Sequence, residues 1–270
     1  MPVDVSATVR TNTALSGDYC VLTLEAPSIA STVVPGQFVM VKAGRGFDPL
    51  LRRPFSVFEI IRDASGRATA LSLLVKRIGP STERLYALRA GDRVDVLGPL
   101  GVPFTVPPHG AEAWMVAGGV GLAPFWTLTE ALVARGHALT LFYGARSAAD
   151  LFYLDWFESQ GVRLVLTTED GSRGERGPII APLDRTLAAC APAQDVRLFV
   201  CGPEGMLAAT ARTAAAYHRP CEVSVERVMG CGMGGCYSCV VPMRGADGRI
   251  SHVRSCLSGP VLDAAHLVWD

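Results

Sequence analysis

An antiparallel β-barrel, a doubly wound parallel α/β sheet and a small cysteine-rich C-terminal module, in that order, form the fold class that three features of the sequence predict. Up to about residue 106, short β-branched or alternating runs are broken by Gly, Pro, Asp and Ser. From Trp114 the rhythm changes to near-continuous apolar runs separated by segments of helical spacing, as strands buried on both faces require. Beyond residue 221, four of the eight cysteines crowd between positions 231 and 256.

In the first segment, residues 20–26 (CVLTLEA), 36–43 (GQFVMVKA), 54–62 (PFSVFEIIR), 69–76 (TALSLLVK) and 92–101 (DRVDVLGPLG) read as barrel strands. One helix, 81–89 (STERLYALR), interrupts them, and 106–113 (VPPHGAEA) reads as a linker. In the second segment the buried strands are 114–119, 139–145, 162–168 and 196–202. Helical spacing fills 124–136, 150–161 and 178–190 between them, the alternation that predicts a parallel doubly wound sheet. A last helix over 204–218 precedes a strand at 221–229 and the cysteine-rich tail. The expected segments are therefore 1–106, 107–220 and 221–270.

The chain has 270 residues, a formal net charge of +0, 49% hydrophobic and 19% charged residues, which is ample for globular cores. With no basic excess there is no footprint for a phosphate backbone, so nucleic acid is not an expected partner. The opening MPVDVSATVR lacks a charged region followed by an apolar run, and no run of eighteen apolar residues follows. Neither secretion nor a membrane span is expected, and the reading is cytoplasmic. In a reducing compartment, clustered cysteines favour a metal centre over disulfides.

The cysteine spacing is Cys231-x4-Cys236-x2-Cys239-x16-Cys256. Zinc sites usually pair their ligands in two separated knuckles, whereas this spacing is the plant-type arrangement for a 2Fe-2S cluster. Gly232, Gly234 and Gly235 allow the backbone to wrap a compact anionic group and aim N–H donors at sulfur. A structural zinc site and unligated buried thiols are the plainer alternatives. The match at all four positions favours the cluster, with Met229 and Met233 beside it as packing.

In LLRRPFSV (50–57), Arg53, Phe55 and Ser56, with Pro54 between them, stand on a strand leaving a turn. Arginine can pair a pyrophosphate, an aromatic ring can lie on a flavin, and a hydroxyl can bond its ring edge. Further on, Val75, Lys76 and Arg77 lead through IGP to Ser81 and Thr82 at the start of the 81–89 helix. Those two residues form either an anion seat or a plain N-cap.

WMVAGGVGLAPFWTL (114–128) is a buried strand, a glycine turn and a helix opened by Pro124. Gly118, Gly119 and Gly121 would let phosphates approach the backbone where a parallel strand ends; a tight strand-to-helix turn is the alternative. The fourth strand ends in Cys201, Gly202 and Pro203. A thiol there can sit against a nicotinamide, or be a buried structural cysteine. Arg146 in FYGARS falls where an adenosine ribose would lie, and the following SAADL adds no basic residue, which favours NAD over NADP. The five histidines show no ligand spacing among themselves.

RPFS, GGVGLAP, CGPEGM and the four-cysteine tail, in this order, resemble the ferredoxin reductase superfamily and, within it, the electron-transfer subunits of class 1B dihydroorotate dehydrogenase. The resemblance spans essentially the whole chain, including the ending GPVLDAAHLVW. It implies FAD in the barrel at Arg53, Pro54, Phe55, Ser56, Val75, Lys76, Arg77, Ser81 and Thr82. It implies NAD on the sheet at Gly118, Gly119, Gly121, Cys201, Gly202 and Pro203, and a 2Fe-2S cluster on Cys231, Cys236, Cys239 and Cys256.

It also implies a partner, an FMN-containing catalytic subunit that oxidises dihydroorotate in pyrimidine biosynthesis, in a heterotetramer of two plus two. No acid–base or nucleophilic side chain of this chain is then required. A nicotinamide takes a hydride and a cluster gives single electrons, so chemistry asks independently for an intermediary such as a flavin. Two departures stand out: Phe55 where the superfamily often has tyrosine, and Gly79-Pro80-Ser81-Thr82 where the subunit usually has a second glycine before the threonine. The alternatives are a related subunit serving a ferredoxin, hydrogenase or sulfur-reducing partner through NAD(P)H, and a non-catalytic iron-binding sensor.

Overall fold

The computed structural model describes residues 1–44, 46 and 48–269. The first segment builds β1 (Val3–Ala14), β2 (Tyr19–Glu25), α1 (Pro27–Ala30), β3 (Phe38–Lys42), β4 (Arg53–Ser56), β5 (Glu59–Arg62), β6 (Ala68–Lys76), α2 (Pro80–Ala87) and β7 (Arg93–Leu100). Among the described residues these strands form one seven-stranded antiparallel sheet in the order β4-β3-β7-β1-β2-β6-β5, curled into the expected barrel.

Two differences from the sequence reading concern this sheet. The 54–62 run is divided at Val57 and Phe58 into β4 and β5, whose side chains serve different neighbours. β1 had no strand expected for it, because its run VDVSATVRTNTA is rich in Thr, Ser and Arg and buries only Ala7 and Val9. It is nevertheless central, pairing β2 on one side and β7 on the other.

Inside the barrel, alternate residues of four strands meet: Leu22 and Leu24, Val39 and Val41, Leu71 and Leu73, Val94 and Val96. Each such side chain contributes roughly 1.5–3 kcal/mol when removed from water. Helix α2 covers one end through Leu85. It stops where the Asn12 amide donates to the carbonyls of Leu85, Tyr86 and Leu88 at 3.0, 3.0 and 2.9 Å, satisfying the orphan acceptors of its last turn.

The remainder forms β8 (Glu112–Gly118), α3 (Phe125–Val133), β9 (Leu139–Ala145), α4 (Leu154–Ser159), β10 (Arg163–Thr168), β11 (Glu175–Arg176), α5 (Ile180–Ala188), β12 (Val196–Cys201), α6 (Glu204–Ala216) and β13 (Cys221–Ser224). It closes with β14 (Val240–Arg244), β15 (Ile250–Arg254), α7 (Ser255–Ser258) and β16 (Val261–Asp263). The second sheet runs β11-β10-β9-β8-β12-β13-β16, parallel except for β16. The chain leaves β8 towards β9 on one side and later returns to β12 on the other, so the switch point of the sheet lies between β8 and β12.

The expected strand at 221–229 ends at Ser224, and Val225–Met229 continue as irregular chain towards the cysteines. The edge strands β13 and β16 both come from residues 221–270, so the third segment shares backbone hydrogen bonds with the second. The expected helix at 150–161 is shorter, because Tyr153 takes left-handed backbone (φ 59°) just ahead of Leu154.

Barrel and sheet are joined by aromatic packing. Phe58 lies 4.9 Å from Trp126 and 5.2 Å from Tyr153 between ring centroids, and Tyr19 lies 4.9 Å from Phe152. Pairs of this kind favour a fixed mutual orientation. No helix among the described residues is long and apolar enough to cross a membrane.

Candidate redox site

The cysteine loop begins after Met229 and lies on the barrel. Met229, Cys239 and Cys256 share an apolar cluster with Phe38 and Met40 of β3 and Leu97 and Leu100 of β7. Gly232 and Gly234 take left-handed backbone, φ 71° and 78°. A Cβ on Gly232 would stand 2.6 Å from Cγ of Met40, and one on Gly234 would stand 2.4 Å from Cδ1 of Leu257. Both glycines are therefore required twice, for conformation and for contact.

The four sulfurs fall into two pairs. Cys231 faces Cys236 with both side chain and backbone, and Cys239 faces Cys256 side chain to side chain. Among the described residues no three His, Cys, Asp or Glu side chains close around one point as a single ion would need. Two pairs are what a binuclear cluster takes, two thiolates to each iron.

The surrounding donors fit an anionic group. The Met233 N–H points at Cys231 Sγ (3.4 Å), and the Gly234 backbone faces the Cys256 sulfur. Ser255 Oγ is buried beside Cys256 without a hydrogen-bond partner. The donor set therefore fits a 2Fe-2S cluster held by Cys231, Cys236, Cys239 and Cys256.

Protonation differs within the set. The Ser238 hydroxyl, 3.2 Å from Cys236 Sγ, and the Ser238 N–H hold that exposed thiol down to about 6, with Cys231 assisting. Burial first, and the adjoining Cys239 second, push Cys256 up to about 11. A cluster held there would take the Cys256 sulfur as a thiolate, so its binding would release that proton.

One strand away lies RPFS. Strand β4 lies at the sheet edge and pairs with β3, Met40 opposite Pro54 and Val39 opposite Phe55, so Arg53, Pro54, Phe55 and Ser56 adjoin the strand on which the cysteine loop rests. Arg53 is exposed, while Pro54, Phe55 and Ser56 are half-buried. Val75 packs wholly into the barrel core and pairs with Cys20 across the sheet. Lys76 Nζ stands 5.3 Å from the Tyr19 ring centroid; Arg77 pairs with Asp18 at 3.3 Å and lies over Tyr86.

The start of α2 is bound into its own turn. Thr82 Oγ1 accepts from the N–H groups of Ile78 (2.9 Å) and Gly79 (3.1 Å) and donates to the Gly79 carbonyl (2.9 Å); the N-cap is Gly79, and Thr82, the third residue of the helix, reaches back to it instead of capping. Ser81 beside it is buried.

At the switch point, the turn after β8 and the turn after β12 interlock. A Cβ on Gly121 would stand 2.2 Å from the Cys201 carbonyl oxygen, one on Gly118 2.7 Å from Pro203 Cδ, and one on Gly202 3.0 Å from the Gly118 nitrogen. This crevice at the carboxyl ends of the strands is where open α/β sheets bind dinucleotides. Burial pushes the Cys201 thiol up to about 12, so it stays neutral and packs instead of attacking. Gly119 (φ 54°) faces the Tyr19 hydroxyl, joining the crevice to the barrel. Arg146 forms an ion pair with Asp150 at 3.5 Å.

Sequence reading did not identify Met40, Leu97 and Leu100 as the bed of the cysteine loop, or Tyr19 as the link between barrel and crevice. No local pattern marks them. Ser238 carried a usable signal, standing two residues beyond Cys236.

The fold and these sites define an NAD-linked oxidoreductase of ferredoxin reductase architecture with its own iron-sulfur module. Residues 226–268 match the iron-sulfur cluster binding domain of dihydroorotate dehydrogenase B, and residues 115–212 match the oxidoreductase NAD-binding domain. The chain belongs to the family of dihydroorotate dehydrogenase B (NAD(+)) electron transfer subunits. It is 37% identical to the one from Desulforamulus reducens over 246 residues, 91% of each chain. It is 36% identical to the one from Bacillus caldolyticus over 92% of this chain and 91% of that one.

Among solved structures, an NADH-dependent reduced ferredoxin-NADP oxidoreductase described for flavin-based electron bifurcation superposes with TM-score 0.83 at 26% identity, covering 98% of this chain and 91% of that one. A ferredoxin NADP+ reductase from Neisseria gonorrhoeae, solved with FAD and NADP, shares the fold at TM-score 0.68 and 19% identity, covering 79% and 91%.

Proposed function

We propose that this chain carries electrons between a partner subunit and NAD, through a cluster held by Cys231, Cys236, Cys239 and Cys256 and an FAD on the barrel. The observation that carries the reading is the bed of the cysteine loop on β3, the strand that also pairs with Arg53–Ser56. When bound, the cluster supplies single electrons, and FAD exchanges them for the hydride that NAD accepts or gives.

The chain's own residues bind, orient and exclude water. Arg53 offers a charge to the FAD pyrophosphate, and Pro54, Phe55 and Ser56 line its ring. Val75, Lys76 and Arg77 border it with backbone and stem, and Ser81 and Thr82 offer helix-start N–H groups while the Thr82 hydroxyl holds their turn. Gly118, Gly119 and Gly121 admit the NAD phosphates to the backbone. Cys201, Gly202 and Pro203 present a neutral, compact wall to the nicotinamide. Segments 1–106, 107–220 and 221–270 serve FAD, NAD and cluster in turn, the third also completing the sheet edge of the second.

The partner in this reading is an FMN-containing catalytic subunit that oxidises dihydroorotate, assembled two plus two in the cytoplasm. The likeness to an NADH-dependent reduced ferredoxin-NADP oxidoreductase supports a second reading, in which the partner is a ferredoxin-like carrier.

Co-expression with candidate catalytic subunits and anaerobic cofactor analysis separate the two. The first reading expects an FMN protein to co-purify in equal amount and dihydroorotate to reduce NAD only in the complex. Turnover of dihydroorotate by this chain alone would contradict it. Cys236→Ser should abolish electron delivery to the partner while NADH still bleaches the flavin; equal loss of both would count against separate sites.

A further inference from the structure

The residue that grips the cysteine loop lies outside the ligand set. Arg254, the last residue of β15, donates from Nη1 to the Gly234 carbonyl at 2.8 Å, and its guanidinium stands 4.7 Å from the centroid of the Tyr237 ring. Gly234 and Tyr237 flank Cys236, and both hold left-handed backbone, φ 78° and 58°. A tyrosine keeps such backbone only where its surroundings over-determine it, and the stacked guanidinium is one such surrounding.

Gly234 is held from its other side as well. Its backbone faces the sulfur of Cys256, two residues beyond Arg254 itself. Arg254 therefore closes a loop of contacts: its side chain fixes the residue whose backbone faces the sulfur its own backbone leads to. Arg254 is half-buried.

We propose that Arg254 is a positioning residue of the cluster site, which fixes the arc from Gly234 to Tyr237 and eases the addition of an electron to the cluster by standing beside it as a fixed cation. The electron comes from the partner, or in a titration from dithionite, and no bond is made or broken. The reduced ligand set is one unit more negative than the oxidised one, so a nearby positive charge stabilises it more.

The inference rests on the cluster reading, and the test keeps the two apart. The full chain, loaded anaerobically, is compared with Arg254→Gln and Arg254→Lys by iron and sulfide content and by a redox titration followed by electron paramagnetic resonance. Arg254→Gln should retain iron and become harder to reduce by about tenfold in the equilibrium, ~59 mV for a one-electron couple, whereas Arg254→Lys stays at the wild-type midpoint. A wild-type midpoint in fully loaded Arg254→Gln overturns the proposal. If Arg254→Gln holds no iron, Arg254→Lys decides: full iron at the wild-type midpoint supports the proposal, and an empty Arg254→Lys, or one whose midpoint is displaced from the wild type, overturns it. Lack of iron in the wild type would instead remove the cluster reading itself.

Discussion

Gly232 and Met40 meet so closely that a Cβ on the glycine would stand 2.6 Å from the methionine Cγ. At this point the cysteine loop rests on the barrel, and because Met40 pairs with Pro54 across the sheet, a single strand lies between the loop and RPFS. Tyr19, Gly119 and the interlocked turns of Gly118, Gly121 and Gly202 continue the same body towards the dinucleotide crevice.

Gly232→Ala should lower both stability and iron content. The left-handed backbone alone costs roughly 1–2 kcal/mol for a residue with a Cβ. The contact with Met40 adds to it, although that side chain is flexible. Thermal unfolding and iron per chain read the two effects, and adding Met40→Ala should restore the contact part and leave the conformational part. Full recovery in the double variant would show that conformation plays no part.

Gly121→Ala should damage the crevice more severely, since its new methyl would meet the backbone of Cys201, with oxygen at 2.2 Å and carbonyl carbon at 2.5 Å. Relief requires β8 and β12 to part, a strain of about 1–3 kcal/mol or more. Stopped-flow reduction of the flavin by NADH should slow sharply while cluster iron stays at the wild-type level. Wild-type reduction kinetics would place the dinucleotide elsewhere.

Glu59 supplies a test in pH. Burial raises its carboxyl above the ordinary 4.5, against a smaller opposing effect of the Ser72 hydroxyl, which donates to it at 3.4 Å. A raised carboxyl stabilises the fold fully below its unfolded value, and that contribution is lost as pH rises through the folded value. Gln cannot ionise, so Glu59→Gln should match the wild type in acid and become relatively more stable above 4.5. Urea midpoints on both sides of that value check the sign, and a gap that widens towards acid would refute it.

The elements legible in the sequence are those whose signal is local. Strands β2, β3, β6, β7, β8, β9 and β12 each carry buried apolar residues, β10 an apolar run Leu164–Leu166 that is half-buried, and each is expected from the sequence within a few residues of its place. Strand β1 escaped because its partners shield it, its own side chains being mostly polar. The hairpin β14–β15 escaped because Val241 is its one buried residue, the others being exposed or half-buried. Strand β16 is three residues long and is a strand only because β13 is there to pair with it.

For the site the division is the same. Cysteine spacing and glycine content are properties of a short loop, since a loop must close around its ligand with the residues at hand. Those features, and the order of the motifs along the chain, were enough to identify the family and its cofactors. That the loop would lie on Met40 and Leu100, and that Arg254 would reach Gly234, depended on the packed chain. These contacts join residues far apart in sequence, and what brings them together is the burial of two cores against one another, which no short stretch encodes.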